Sequence, residues 1–64
     1  MKKKVREMIE LIEADGWRFY KQRGSHQQYK HSTKPGKVTI PNHGINRELD
    51  HKLVESILKQ AGLR

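Results

Sequence analysis

Trp17-Arg18-Phe19-Tyr20-Lys21-Gln22-Arg23-Gly24-Ser25-His26-Gln27-Gln28-Tyr29-Lys30-His31 is the stretch that fixes how the rest of this chain is read. Aromatic residues at 17, 19 and 20 give residues 17–23 the composition of a strand, and Gly24 marks a tight turn into a second strand over 25–31. Strand side chains alternate, so Trp17 and Phe19 share one face while Arg18, Tyr20 and Gln22 share the other. The two glutamines blur the alternation of the second strand, which is assigned from its context and from Tyr29. With Tyr29 inward, His26, Gln28 and Lys30 point outward. A bulge beside Gly24 would overturn that parity.

Outward from this hairpin, Thr33-Lys34-Pro35-Gly36 is a turn, and Lys37–Ile40 is a short third strand with Val38 and Ile40 inward, ended by Pro41. Upstream, Val5, Met8, Ile9 and Ile12 form one apolar stripe, which predicts a helix over 3–15 with Leu11 at its margin. Gly16 is the left-handed cap, and the lysines at the start oppose the helix dipole and predict fraying. Downstream, Asn46 is the N-cap of a second helix with Glu48 and Asp50 in its first turn. Leu49, Leu53, Val54, Ile57, Leu58 and Ala61 supply its apolar face, and Gly62 closes it. Short connections make the strands an antiparallel meander. The expectation is one α+β domain over 1–64, helix–three strands–helix. Both helices cover one face of the sheet, and the other face is wet.

Sixty-four residues, 33% of them hydrophobic, support only a small core and cannot enclose a large cofactor. Cysteine is absent, so no disulfide frame or thiolate zinc site is available, in keeping with a cytoplasmic protein. No apolar run approaches a membrane span, and Met1-Lys2-Lys3-Lys4 is not followed by the apolar region of a signal peptide. Glu7, Glu10 and Glu13 on the first helix argue against a membrane-surface helix. The net charge is +7, from fourteen Lys and Arg against seven Asp and Glu. Between Arg18 and Lys37 there are six Lys or Arg and no acidic residue, whereas the acids lie in 7–15 and 48–55. One segment is therefore a cationic surface, suited to nucleic acid or to an acidic protein.

Histidine is the side chain best suited to move a proton near neutral pH. His26 sits beside a glycine turn with cations on both sides along the chain, which marks it as a catalytic group against which those cations hold a phosphate backbone. Lys21, Arg23, Lys30, Lys34 and Lys37 form the phosphate-binding set. Ser25 is counted with the nucleic-acid contacts, and Tyr20 is the aromatic placed to stack on a base. Trp17 and Tyr29 are assigned to the core, and His31 and His51 to the surface. No carboxylate or histidine spacing suggests a metal site, and no cofactor is implied.

Gly16-Trp17, Arg23-Gly24-Ser25-His26 with Tyr29, Val38-Thr39-Ile40-Pro41 with His43, and Ile57-Leu58-Lys59-Gln60-Ala61-Gly62, in this order, resemble the HicA toxin family of bacterial toxin–antitoxin systems, from about residue 5 to the end. The resemblance implies a fold like the double-stranded RNA-binding domain, a ribonuclease that cleaves mRNA, and a HicB antitoxin that silences it. It also implies that His26, in the Gly-Ser-His motif, is catalytic. The chain departs from the family pattern in two ways: Lys21 stands where many members carry arginine, and Gln27-Gln28 replaces a more apolar pair. RNA carries its own nucleophile, the 2′-hydroxyl, so a base and cations suffice for a metal-independent transesterification. Lys21, Arg23, Tyr29 and His43 are the candidates for the leaving-group acid. Two other readings fit the same charge: a non-catalytic RNA-binding module of this fold, and an interaction domain for an acidic protein.

Overall fold

The structure is a computed structural model that describes residues 2–64; Met1, the first residue of the lysine-rich start, lies outside them. In chain order the elements are β1 (Lys3–Lys4), α1 (Val5–Ala14), β2 (Trp17–Arg23), β3 (His26–His31), β4 (Val38–Pro41), β5 (Glu48–Leu49) and α2 (His51–Gln60). β2, β3 and β4 form the antiparallel meander in sequential order, and β1 pairs with β5 in a separate two-stranded piece. Val5, Met8 and Ile12 of α1 and Val54, Ile57 and Leu58 of α2 join Trp17, Tyr29, Val38 and Ile40 in one buried cluster. Both helices therefore cover the sheet face that carries Trp17 and Tyr29, and the opposite face is open. Among the described residues no helix is long and apolar enough to cross a membrane.

Two ends of the helices differ from the expectation. Lys3 and Lys4 are not a frayed helical turn but pair with Leu49 and Glu48. The helix then starts at Val5, with Lys4 N–H donating to Glu7 Oε1 at 2.7 Å. Val5 and Arg6 N–H donate to the carbonyls of Arg47 and Ile45 at 2.9 and 3.0 Å. Those contacts satisfy donors that a helix start otherwise leaves to water. The second correction concerns α2, whose N-cap is Asp50 rather than Asn46. Asp50 Oδ1 accepts from Leu53 N–H at 2.8 Å, which starts the helix four residues later than expected. Glu48 and Leu49 are extended because their backbone is taken by β1. At the other end, Gly62 has φ +71° and Leu63 N–H donates to the Leu58 carbonyl at 2.9 Å, a Schellman closure.

The β2–β3 hairpin has a two-residue turn, Gly24–Ser25, with positive φ (+58°) at Gly24 alone, as in a type II′ turn. Its register shifts between Phe19 and Lys21: Phe19 opposes Tyr29, but Lys21 opposes Gln28. Tyr20 is the extra residue of a bulge. Before it, Trp17 and Phe19 lie on the helix-side face as expected, although Phe19, edge-on to Tyr29 at 6.0 Å, keeps 53% of its surface exposed. Beyond it the expected parity is reversed. Gln22 opposes Gln27 on the helix side, whereas Lys21 and Arg23 turn to the open face.

Candidate nucleic-acid interface

His26 begins β3, directly after the turn. The parity of that strand stands as expected, since the bulge lies in its neighbour: Tyr29 is buried, while His26 and Lys30 are exposed. Arg23 and Pro41 are the register partners of His26 on either side. Opposed residues in an antiparallel pair have Cα atoms only about 4.5–5.5 Å apart, so Arg23 and His26 issue from one spot on the open face. Lys21, opposite Gln28, follows one step along. The bulge thus brings to His26 the two cations that regular alternation would have turned toward the helices.

Tyr20, the bulged residue, has its ring beneath the Lys30 ammonium, 4.1 Å from the ring centroid, with Lys37 at 5.4 Å and Lys21 at 5.6 Å. Cation–π contacts at exposed sites are worth about 0.5–1 kcal/mol each, enough to order a side chain that remains 47% exposed. An aromatic face surrounded by ammonium groups can take a base and its flanking phosphates.

Beneath the turn runs a polar relay on the helix-side face. Gln22 Nε2 donates to the Gly24 carbonyl at 2.7 Å, and Gln27 Nε2 donates to Gln22 Oε1 at 3.2 Å. Gln27 Oε1 accepts from Asn42 Nδ2 at 3.0 Å and from the Tyr29 hydroxyl at 3.4 Å. Burial, aided by the nearby Glu13 carboxylate, pushes the Tyr29 phenol upward from its usual range. Asn42 N–H donates to the Ser25 carbonyl at 2.7 Å, and His43 Nε2 lies 3.3 Å from Ser25 Oγ. Ser25 therefore links the turn to the loop after β4, and His43 comes to the same corner as His26. The structural roles of Gln22, Gln27 and Asn42 were not foreseen. Their only sequence signal is the polar run 27–28, which looked like a defect in the strand.

Lys34 is not brought to this face. Its ammonium is held by Asp15 Oδ2 at 2.5 Å and by the Ala61 carbonyl at 3.1 Å, at the end of α2. The same ammonium holds the Asp15 carboxyl below its usual range, the largest of the influences on it. Arg18 is likewise engaged, donating to the Trp17 and Glu13 carbonyls at 3.0 and 3.2 Å. His31, expected at the surface, is a structural residue. Its Nε2 lies 2.6 Å from the Asp15 carbonyl, and its Nδ1 accepts from Thr33 and Lys34 N–H at 3.0 and 3.1 Å. Its ring meets Trp17 edge-on at 5.2 Å. Because Nδ1 accepts, Nε2 carries the proton donated to Asp15. Among the described residues the ion pairs are Lys34–Asp15 and Arg64–Glu55, so no carboxylate neutralises Lys21, Arg23 or Lys30.

Fold and site together define a small α+β domain whose open sheet face carries unneutralised cations around the accessible His26, with the exposed His43 at the same corner. The family model for the HicA toxin of bacterial toxin–antitoxin systems matches residues 5–63, and the chain belongs to that family. It is the toxin side of such a pair, with an antitoxin as its partner. No curated protein matches the chain.

Proposed function

We propose that this toxin is an endoribonuclease that cuts mRNA, in the cytoplasm, by transesterification without a metal ion. His26 takes the proton of the attacking 2′-hydroxyl, Lys21 and Arg23 hold the scissile phosphate, and Ser25 contributes a hydroxyl at the same turn. Lys30 and Tyr20 bind the strand beyond it. The observation that carries this reading is the register of the hairpin. It sets an exposed imidazole against an unneutralised guanidinium, with a second cation one step away. A base positioned on its substrate is typically worth about 10² to 10⁴ in rate, and preorganised cations add to it.

A HicB-type antitoxin would silence the toxin by covering this face. Its carboxylates would meet Lys21, Arg23 and Lys30, with Tyr20 as the aromatic anchor. Lys34, already paired with Asp15, is left out of that contact. RNA and antitoxin then compete, and a ternary complex formed without mutual weakening would place inhibition elsewhere.

The purified protein incubated with RNA is the direct test. Fragments ending in 2′,3′-cyclic phosphate, formed in the presence of a chelator, are the expected outcome. Intact RNA bound in a salt-dependent manner would instead describe a non-catalytic module of the same fold.

A further inference from the structure

We infer that His43 is the acid that protonates the leaving 5′-oxygen, so that the site works with two imidazoles; this rests on the ribonuclease reading above. His43 Nε2 is 3.3 Å from the Oγ of Ser25, the residue that immediately precedes His26. The loop bearing His43 is fastened to the same turn through the backbone, since Asn42 N–H donates to the Ser25 carbonyl at 2.7 Å. Pro41, two residues before His43, is the register partner of His26. Asn42 then fixes the loop from within, donating to Gln27 Oε1 at 3.0 Å and accepting from Gly44 N–H at 2.9 Å. His43 itself is exposed, so the protein holds its backbone and leaves its ring open to a ligand.

The other candidate donors are less well placed. Tyr29 is buried on the opposite face of the sheet, and burial makes its proton harder to release. Lys21 and Arg23 share the face of His26, but an ammonium and a guanidinium are far weaker acids than an imidazolium. Their charge holds a phosphate well and gives up a proton poorly. His31 is locked between Asp15 and its own turn.

The step balances without a co-reactant. The 2′-oxygen bonds to phosphorus as its proton passes to His26. The bond from phosphorus to the 5′-oxygen breaks, its electron pair leaves with that oxygen, and His43 supplies the oxygen's proton. The products are a 2′,3′-cyclic phosphate and a 5′-hydroxyl; His26 ends protonated and His43 neutral, and exchange with water resets both. In the free protein the contact with Ser25 Oγ keeps His43 Nε2 at that corner.

A substrate in which sulfur replaces the bridging 5′-oxygen separates the roles, because a thiolate leaves without needing a proton. His43→Ala should lose about 10²- to 10⁴-fold on ordinary RNA. It should recover most of that loss on the sulfur substrate, whereas His26→Ala stays impaired on both. The wild-type rate should show a bell-shaped pH dependence, and His43→Ala should lack its alkaline limb. His43→Gln, with circular dichroism on each variant, guards against a folding defect. Equal losses on both substrates, or a wild-type rate in His43→Ala, would overturn the proposal. Sulfur rescue of His43→Ala alongside an active His26→Ala would uphold it while removing His26 as the base. A wild-type protein that cuts neither substrate would overturn both readings.

Discussion

The two ends of β3 each carry a histidine, and the fold uses them in opposite ways. His31 is tied through both ring nitrogens, to the Asp15 carbonyl and to the backbone of its own turn, and it leans on Trp17. His26 is exposed on the other face, beside Arg23 and away from the core. The two lysines nearest His31 divide similarly: Lys30 stands free of carboxylates over Tyr20, while Lys34 is spent on Asp15 and the end of α2. Residue type is the same at both ends, and so is the local basicity. Parity within the strand, and the partners that the helices supply, decide which end is structure and which is available for chemistry.

The sharpest way to break this comparison is to exchange the losses. His26→Ala should reduce RNA cleavage by about 10² to 10⁴ and abolish growth arrest while thermal unfolding stays unchanged. A folded variant that cuts RNA at the wild-type rate would remove His26 from the mechanism. His31→Ala should do the reverse. It leaves the Asp15 carbonyl and two turn N–H groups without their partner, a destabilisation of about 1–3 kcal/mol in urea unfolding. Cleavage per folded molecule should hold, and a drop beyond the folded fraction would show that His31 also serves the site.

Among the cations the contrast should appear in binding rather than stability. Tyr20→Ala should weaken RNA affinity by about 1–3 kcal/mol if a base stacks there. Lys30→Ala should lower the salt slope of binding by about 0.7, the value for one phosphate on a single strand. Lys34→Ala should leave that slope unaltered; an equal change at Lys34 would mean that its ion pair opens to RNA.

The smallest effect concerns pH. Lys34 holds the Asp15 carboxyl below its ordinary value of 3.8, and the Lys4 N–H does the same for Glu7. A carboxyl depressed in the folded state stabilises the fold above its unfolded value. That contribution is lost as pH falls through the folded value. The urea midpoint should therefore decline below about pH 4, and less so in Asp15→Asn. A decline equally steep in Asp15→Asn would assign the acid sensitivity to other groups.

Much of this was legible in the chain because it is local. Val5, Met8 and Ile12 lie at helical spacing, Val38 and Ile40 alternate, and Gly24 sits where a two-residue turn needs it. What stayed hidden depended on partners distant in sequence. Asn46 and Asp50 are both good N-caps, and the choice between them was made by Lys3 and Lys4, which draw Glu48 and Leu49 into a strand. His31 resembles any strand histidine until Asp15 and Trp17 are placed beside it. The bulge at Tyr20 carries no residue signature, yet it moved Lys21 and Arg23 to the face of His26. The exposure of His26 was legible from parity, because its strand is undisturbed.

That bulge has a further consequence for how copies of the chain behave toward one another. β2 is a seven-residue strand with β3 on one side only, and it exposes two aromatic rings, Phe19 and Tyr20. A straight strand of that kind is a template on which a second copy can zip its own edge, the first step toward aggregation. The extra residue interrupts the row of free backbone groups and twists the edge, and Lys21 and Arg23 charge the part beyond it. The edge is thereby blunted against a second copy, and deleting Tyr20 from the chain should raise light scattering at high protein concentration.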